Sequence, residues 1–444
     1  MGDSDQLFVK GGEIVGRSTD QPLDIYIREG RIEAVASDLS PPPGCTVLDA
    51  HGKLVFPGLI DPQVHFREPG LTHKETIHTG SLAAIAGGVT SFMEMPNTRP
   101  ATTTPDLLAD KLDRAASGAC GDHAFFLGAT SENAEQLGEW ENQPGCAGVK
   151  IFMGSSTGDL LVADDENIER VLRSGVRRVA VHSEDEERLK ERYAALSPGA
   201  EVSSHPDVRD VECALRATRR LLDIVEKTGR KVHVLHLSTA EEVALIRERD
   251  LGDLVTAEIT PNHLFLEAPE CYQRWGSGAQ MNPPVRDRRH REVLREALIE
   301  GTITCIGSDH APHTAEDKAK PYPESSAGIP GVQTILPLLL TAVRDGWMCL
   351  EDILRVACEG PAQVYGIADK GRLEPGADGD LVLVDPSITI PLPLEWLRSQ
   401  AGYSPYEGVE LAGWPVVTVL RGRPVYRDHE AIGEPCGRPL VFRQ

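Results

Sequence analysis

Positive charge is scarce in this sequence: 45 Lys and Arg stand against 68 Asp and Glu over 444 residues, a formal net charge of −23. That balance argues against a surface for nucleic acid or an anionic membrane, both of which need basic patches. It leaves the substrate open, because a few local groups can reverse the field inside a pocket. Paired cysteines are also missing. The nine cysteines are scattered, odd in number and without a CxxC pair, so the expectation is no disulfide framework and a reducing, cytoplasmic setting. No stretch approaches the roughly 20 apolar residues that span a bilayer. The start, MGDSDQLFVKGG, lacks the basic and apolar parts of a signal peptide, and Gln6 breaks the myristoylation pattern. Internal repeats and low-complexity tracts are absent too. The remaining expectation is a soluble protein acting on a small molecule.

What is present is ordinary globular material, 40% hydrophobic and 25% charged, long enough for one large domain plus an accessory one. The two ends read alike. QLFVKGGEIV, DIYIREGRIEAVAS and CTVLDAHGKLV near the start, and GADGDLVLVDP and PVVTVLRGRPVYRD near the end, are short strands with glycine turns. Between them, eight buried-strand signals alternate with helical segments: residues 54–66, 89–96, 123–130, 146–154, 177–183, 231–238, 254–261 and 303–311. The expected fold is α/β, a (β/α)8 TIM barrel over 55–371, with 1–54 and 372–444 joined in one small β-sandwich domain. Residues 311–331 read as a long loop of functional type.

Active sites of such barrels lie at the C-terminal ends of the strands. Gln63, His65 and Arg67 close the first, Lys150 lies on the fourth, His182 closes the fifth, His236 the sixth and Asp309 the eighth, with His313 just beyond. A single histidine at a strand end is usually a hydrogen-bonded structural residue. Four strands each ending in a ligand-type group point to a metal centre. Positions 63, 65 and 67 are spaced to share one face. An arginine beside a dication needs an anion, which fits a substrate carboxylate held by the guanidinium fork. An ammonium beside zinc is untenable, so Lys150 is expected neutral, carbamylated into a bridging carboxylate, or turned away.

DPQVHFREPGLTHKE, MPNTRPATT, GVKIFMGSSTG, VHSED, VLHLST, MNPPVR and GSDHAPHT together resemble the dihydroorotase branch of the amidohydrolase superfamily, in that family's order. KGRLEPGADGDLVLVD and SPYEGVELAGWPV are similar to its β-domain segments. The resemblance implies a site of one or two Zn²⁺ held by His65, carbamylated Lys150, His182, His236 and Asp309. It also implies that Asp309 shuttles the proton, that Arg67, Asn97 and His313 hold the substrate carboxylate, and that Asn282 contacts the ring. The implied reaction is reversible hydrolysis of the ring amide of (S)-dihydroorotate to N-carbamoyl-L-aspartate, in pyrimidine synthesis. A homo-oligomer and association with aspartate transcarbamoylase are further implications. One position departs from the pattern: where the family has HxH, this chain has Gln63-Val64-His65, and an amide oxygen is a weaker zinc donor than imidazole. The site of His65 and Asp309 is therefore expected to be the weaker of two. The alternatives are a hydantoinase, dihydropyrimidinase or allantoinase, and a catalytically silent structural partner of aspartate transcarbamoylase.

Overall fold

A computed structural model describes residues 6–17, 21–155 and 160–443. Eight parallel strands form its centre, each hydrogen-bonded to the next in chain order: β1 (Leu59–Val64), β2 (Val89–Glu94), β3 (Asp122–Gly128), β4 (Cys146–Phe152), β5 (Val179–His182), β6 (Val232–Val234), β7 (Val255–Ile259) and β8 (Cys305–Ile306). β8 meets β1 through a parallel bridge, Val64 to His310, which brings the barrel to near closure. Both faces of most strands are covered, so they read as near-continuous apolar runs such as AFFLG and VAV. The segments returning to the next strand are helices such as Pro105–Gly118, Val211–Thr228 and Arg288–Glu300. They start where a Thr or Asp side chain accepts from the first turn, at Thr104, Asp210 and Asp287.

The apolar run at 54–66 is two strands. Leu54–Pro57 pairs in the sheet of the chain ends, and Gly58 then turns the chain into β1. A side chain at Gly58 would meet Thr90 Oγ1 at 2.1 Å, so only glycine lets the two elements abut. The chain ends meet in one branched nine-stranded sheet. Its seam is antiparallel, Leu54–Pro57 against Leu381–Pro391, with Val55 opposite Leu383. Leu7, Val9, Ile25, Ile27, Val55, Leu381 and Val419 fill its core.

Where β3 starts, Lys370 Nζ lies 2.6 Å from Asp122, 2.9 Å from Asp378 and 2.5 Å from Asp380. Those three carboxylates converge closely enough to suggest a cation site, but a lysine already fills it. Residues 311–331 are packed rather than open. They contain a short helix, Ala315–Ala319, and Lys318 donates to the carbonyls of Ser277, Gln280 and Ser326. Among the described residues no helix is long and apolar enough to cross a membrane.

Candidate active site

Gln63, His65, Arg67, Asn97, Lys150, His182, His236, Asn282 and Asp309 all line one inner cavity of about 20 Å³ at the C-terminal mouth of the barrel. His313 lines an adjoining vestibule of about 610 Å³, and Asn282 and Ala327 line both. The strands themselves stop short of several of these residues. β1 ends at Val64, β6 at Val234 and β8 at Ile306, so His65, Arg67, His236 and Asp309 stand on the turns that follow. Arg67 (φ 65°), His236 (φ 39°) and Asp309 (φ 48°) adopt left-handed backbone, which L-residues with side chains rarely do. Arg67 thus reaches the cavity by a backbone reversal beyond the strand, and not by the strand alternation that the 63, 65, 67 spacing suggests.

The histidines are buried neutral bases. Burial pulls His65 and His182 below the usual imidazole range and His236 well below it. Their outer nitrogens settle which inner nitrogen is free. His65 Nδ1 lies 2.8 Å from Asn97 Oδ1 and donates to it, which leaves Nε2 with a lone pair 3.1 Å from Asp309 Oδ1. His182 Nε2 donates to Glu184 Oε2 at 2.9 Å, leaving Nδ1 with a lone pair 3.0 Å from His236 Nε2. Burial alone would push the Glu184 carboxyl up, but the Arg209 guanidinium and the His182 ring outweigh it and hold it well below the carboxylate range. Gln63 Nε2 donates to the same Asp309 Oδ1 at 3.1 Å.

Lys150 is fully enclosed, its Nζ lying 4.5 Å from the Phe152 ring centroid. Burial drops its pKa to about 7, against the opposing pull of Asp309 and Glu258. The amine is therefore substantially neutral near pH 7, the form that can attack CO₂. Among the described residues Lys150 Nζ, Gln63 Oε1 and His236 Nδ1 have no hydrogen-bond partner although all are buried. Neutral imidazole lone pairs, a carboxylate and unpartnered buried donors converging on one cavity fit a zinc-type centre.

Arg67 is 1% exposed, and burial lowers its pKa to about 10, so it keeps its charge at neutral pH. Its Nε donates to the Pro312 carbonyl at 3.2 Å, and Nη2 lies 3.1 Å from His313 Nε2. Among the described residues no carboxylate stands within ion-pair distance of it. An enclosed guanidinium in that state is a receptor for an anion. His313 is fixed beside it: Lys74 Nζ donates to Nδ1 at 3.0 Å, so Nε2 carries the proton, directed at the Ala327 carbonyl at 3.0 Å.

Below the mouth, His233 on β6, Glu258 on β7 and Cys305 on β8 form a second fully buried group of donor atoms. His233 Nε2 lies 3.1 Å from Glu258 Oε2 and 3.7 Å from Cys305 Sγ, and burial holds the Glu258 carboxyl well above its usual range. His233 and Cys305 face the barrel interior here, in a hydrogen-bonded layer under the site. The charged segments around His205 and His290 suggest surface positions, yet both rings are buried. His205 Nε2 lies 3.0 Å from Asn282 Oδ1, and Asn282 in turn lines the inner cavity. Local charge misleads there because the flanking charges pair with partners remote in sequence, Arg209 with Glu184, Asp210 with Arg188 and Arg289 with Glu241. Glu184, Arg209 and Lys74 are site residues that sequence reasoning leaves unassigned. Glu184 could have been found from its place two residues after His182; Arg209 had no local signal. Residues 156–158, which close the GVKIFMGSSTG stretch, lie outside the described residues.

A family model described as "Amidohydrolase family" matches residues 54–425. The chain belongs to the amidohydrolase family. A dihydroorotase of Methanosarcina mazei is 35% identical, over 97% of this chain and 96% of its own length. One of Pyrococcus abyssi is also 35% identical, over 88% of each. This amidohydrolase therefore groups with the dihydroorotases. Among solved structures, L-hydantoinase (dihydropyrimidinase) from Arthrobacter aurescens superposes with a TM-score of 0.92 at 30% identity, covering 98% of this chain and 99% of that one. Dihydropyrimidinase from Brevibacillus agri gives 0.90 at 27%, covering 98% of both. Barrel and chain-end sheet are thus shared with these cyclic amide hydrolases, and the chain is a metal-dependent hydrolase of that class.

Proposed function

We propose that this chain is a dihydroorotase, catalysing reversible hydrolysis of the ring amide of (S)-dihydroorotate to N-carbamoyl-L-aspartate in pyrimidine synthesis. The observation that carries the reading is Arg67, an enclosed guanidinium without a carboxylate partner, set in the same cavity as the metal-type donors. The names of the curated relatives agree. Lys150 as a carbamate, His182 and His236 would hold the tighter zinc, and His65, Asp309 and weakly Gln63 the other. Zinc, when bound, supplies a Lewis acid and brings the pKa of water from 15.7 down to about 7.

The chain's own residues do the rest. Arg67 grips the substrate carboxylate, with His313 and Asn97 beside it. The inner cavity alone is too small for a six-membered ring, so the ring would sit where that cavity meets the vestibule, against Asn282. Asp309, oriented by the Gln63 amide, takes a proton from the attacking water and returns it to the departing ring nitrogen, so the amide bond breaks without a net change in charge on Asp309. The nine free cysteines support the cytoplasmic placement. A homo-oligomer, and contact with aspartate transcarbamoylase, belong to the same proposal and are checked by light scattering of the chain alone and with that enzyme.

The rival reading, a hydantoinase or dihydropyrimidinase, draws on the titles of the solved neighbours. Their substrates lack a ring carboxylate and would leave Arg67 unpaired. Arg67→Ala decides between the two. A charge-assisted hydrogen bond contributes about 1.5–3 kcal/mol, so KM for dihydroorotate is expected to rise about 10–100-fold. Unchanged turnover of dihydroorotate in that variant would hand the assignment to the rival.

Gln63→His tests the second metal position. Its Oε1 is a buried atom of the cavity without a hydrogen-bond partner among the described residues, and imidazole is the better zinc donor. Zinc content at saturation is expected to rise toward two per chain. Unchanged content would mean that position 63 serves only to hold Asp309.

A further inference from the structure

We propose that Glu184 is a positioning residue of the metal centre: clamped by Arg209, it fixes His182 with Nδ1 turned into the cavity and strengthens that nitrogen as a donor. The inference rests on the reading of His182 as a zinc ligand and names a support for it that neither the family match nor the relatives assign.

Three imidazoles face the cavity, and their outer nitrogens differ in what supports them. His65 donates to an amide oxygen, Asn97 Oδ1, at 2.8 Å. His236 Nδ1 is buried with no partner among the described residues. Only His182 donates to a carboxylate, Glu184 Oε2, at 2.9 Å. A carboxylate behind an imidazole locks one tautomer and raises the basicity of the other nitrogen, and outer-shell partners of this kind typically change metal affinity 10–100-fold.

The carboxylate can stay ionised in a closed interior because it is itself held. Glu184 is 0% exposed; Arg209 Nε lies 3.1 Å from each of its oxygens and Nη2 lies 2.5 Å from Oε2. The guanidinium is anchored in turn, with Nη2 donating to the Ser155 carbonyl at 2.7 Å, just past the strand that carries Lys150. The chain of contacts therefore runs from the end of β4 through Arg209 and Glu184 to the donor at the end of β5. It leaves His182 Nδ1 no choice of direction. A pair serving only to tie loops together would need no imidazole at its end.

The test uses the full-length protein loaded with zinc. Glu184→Gln leaves Arg209 buried and uncompensated, so it is made alone and together with Arg209→Met, which removes the stranded charge while keeping an amide behind His182. Zinc affinity is read by chelator competition on folded protein, and the His182 tautomer by imidazole ¹⁵N shifts of the metal-free form. Zinc binding is expected to weaken about 10–100-fold in both variants, and the ¹⁵N spectrum to move from a single Nε2–H form toward a mixture. A double variant with parental zinc affinity and an unmoved tautomer, whatever its melting temperature, would overturn the inference and reduce the pair to a structural tie. Parent protein that takes up no zinc at saturation would instead remove the metal reading of the site, and this inference with it.

Discussion

His236→Ala, and separately Lys150→Ala, is expected to lose the tightly held zinc and at least about 10³-fold in kcat. Water without a Lewis acid keeps its pKa near 15.7, and no other residue in the cavity replaces the several kcal/mol of charge stabilisation that a dication supplies. The loss should follow metal content rather than folding. His236 stands on a left-handed turn after β6 with its ring lining the cavity, so alanine leaves the strands beneath it in place and circular dichroism should match the parent. Zinc analysis of the purified variants checks the claim directly. A His236→Ala protein that keeps stoichiometric zinc and turns over dihydroorotate within tenfold of the parent would remove His236 from the metal site.

Asp309→Asn separates proton transfer from metal binding. Its carboxylate oxygen lies 3.1 Å from both His65 Nε2 and Gln63 Nε2, and asparagine preserves the shape while removing the base. General acid–base catalysis is worth about 10²–10⁴-fold, so kcat should fall by that factor while KM for dihydroorotate moves little. The zinc at Lys150, His182 and His236 should remain, since Asp309 belongs to the weaker position. If kcat survives within a factor of ten, the proton passes through another group, and Asp309 is a ligand alone.

The barrel was legible because strand burial leaves a strong trace: most of the eight apolar runs are covered on both faces, and helices between them begin at side-chain caps. The joined chain ends were legible from shared style, short strands punctuated by glycine. Harder to read was where one sheet stops and another begins. In LVFPGLIDPQVHF only the Pro57-Gly58 pair marks the break, and the need for glycine comes from the approach of Thr90 on the neighbouring strand.

The cavity residues could be nominated from strand ends because parallel strands deliver their C-termini to one rim. What the sequence could not convey is how each nominee is held. Asn97 supports His65, Lys74 sets the proton on His313, and Arg209 clamps Glu184 across 25 residues of chain. Such contacts depend on three-dimensional approach alone. His205 and His290 show the reverse error, where arginines and aspartates nearby in sequence suggested solvent around rings that are enclosed.

The most direct measurement compares kcat/KM for dihydroorotate and for dihydrouracil, on protein whose zinc content is measured in the same preparation. The two rings differ at the carboxylate that Arg67 is placed to hold. Dihydroorotate should be preferred by at least about tenfold, with the activity lost on chelation and restored by zinc and bicarbonate. Preference for dihydrouracil, or fully zinc-loaded protein that hydrolyses neither ring, would contradict the account.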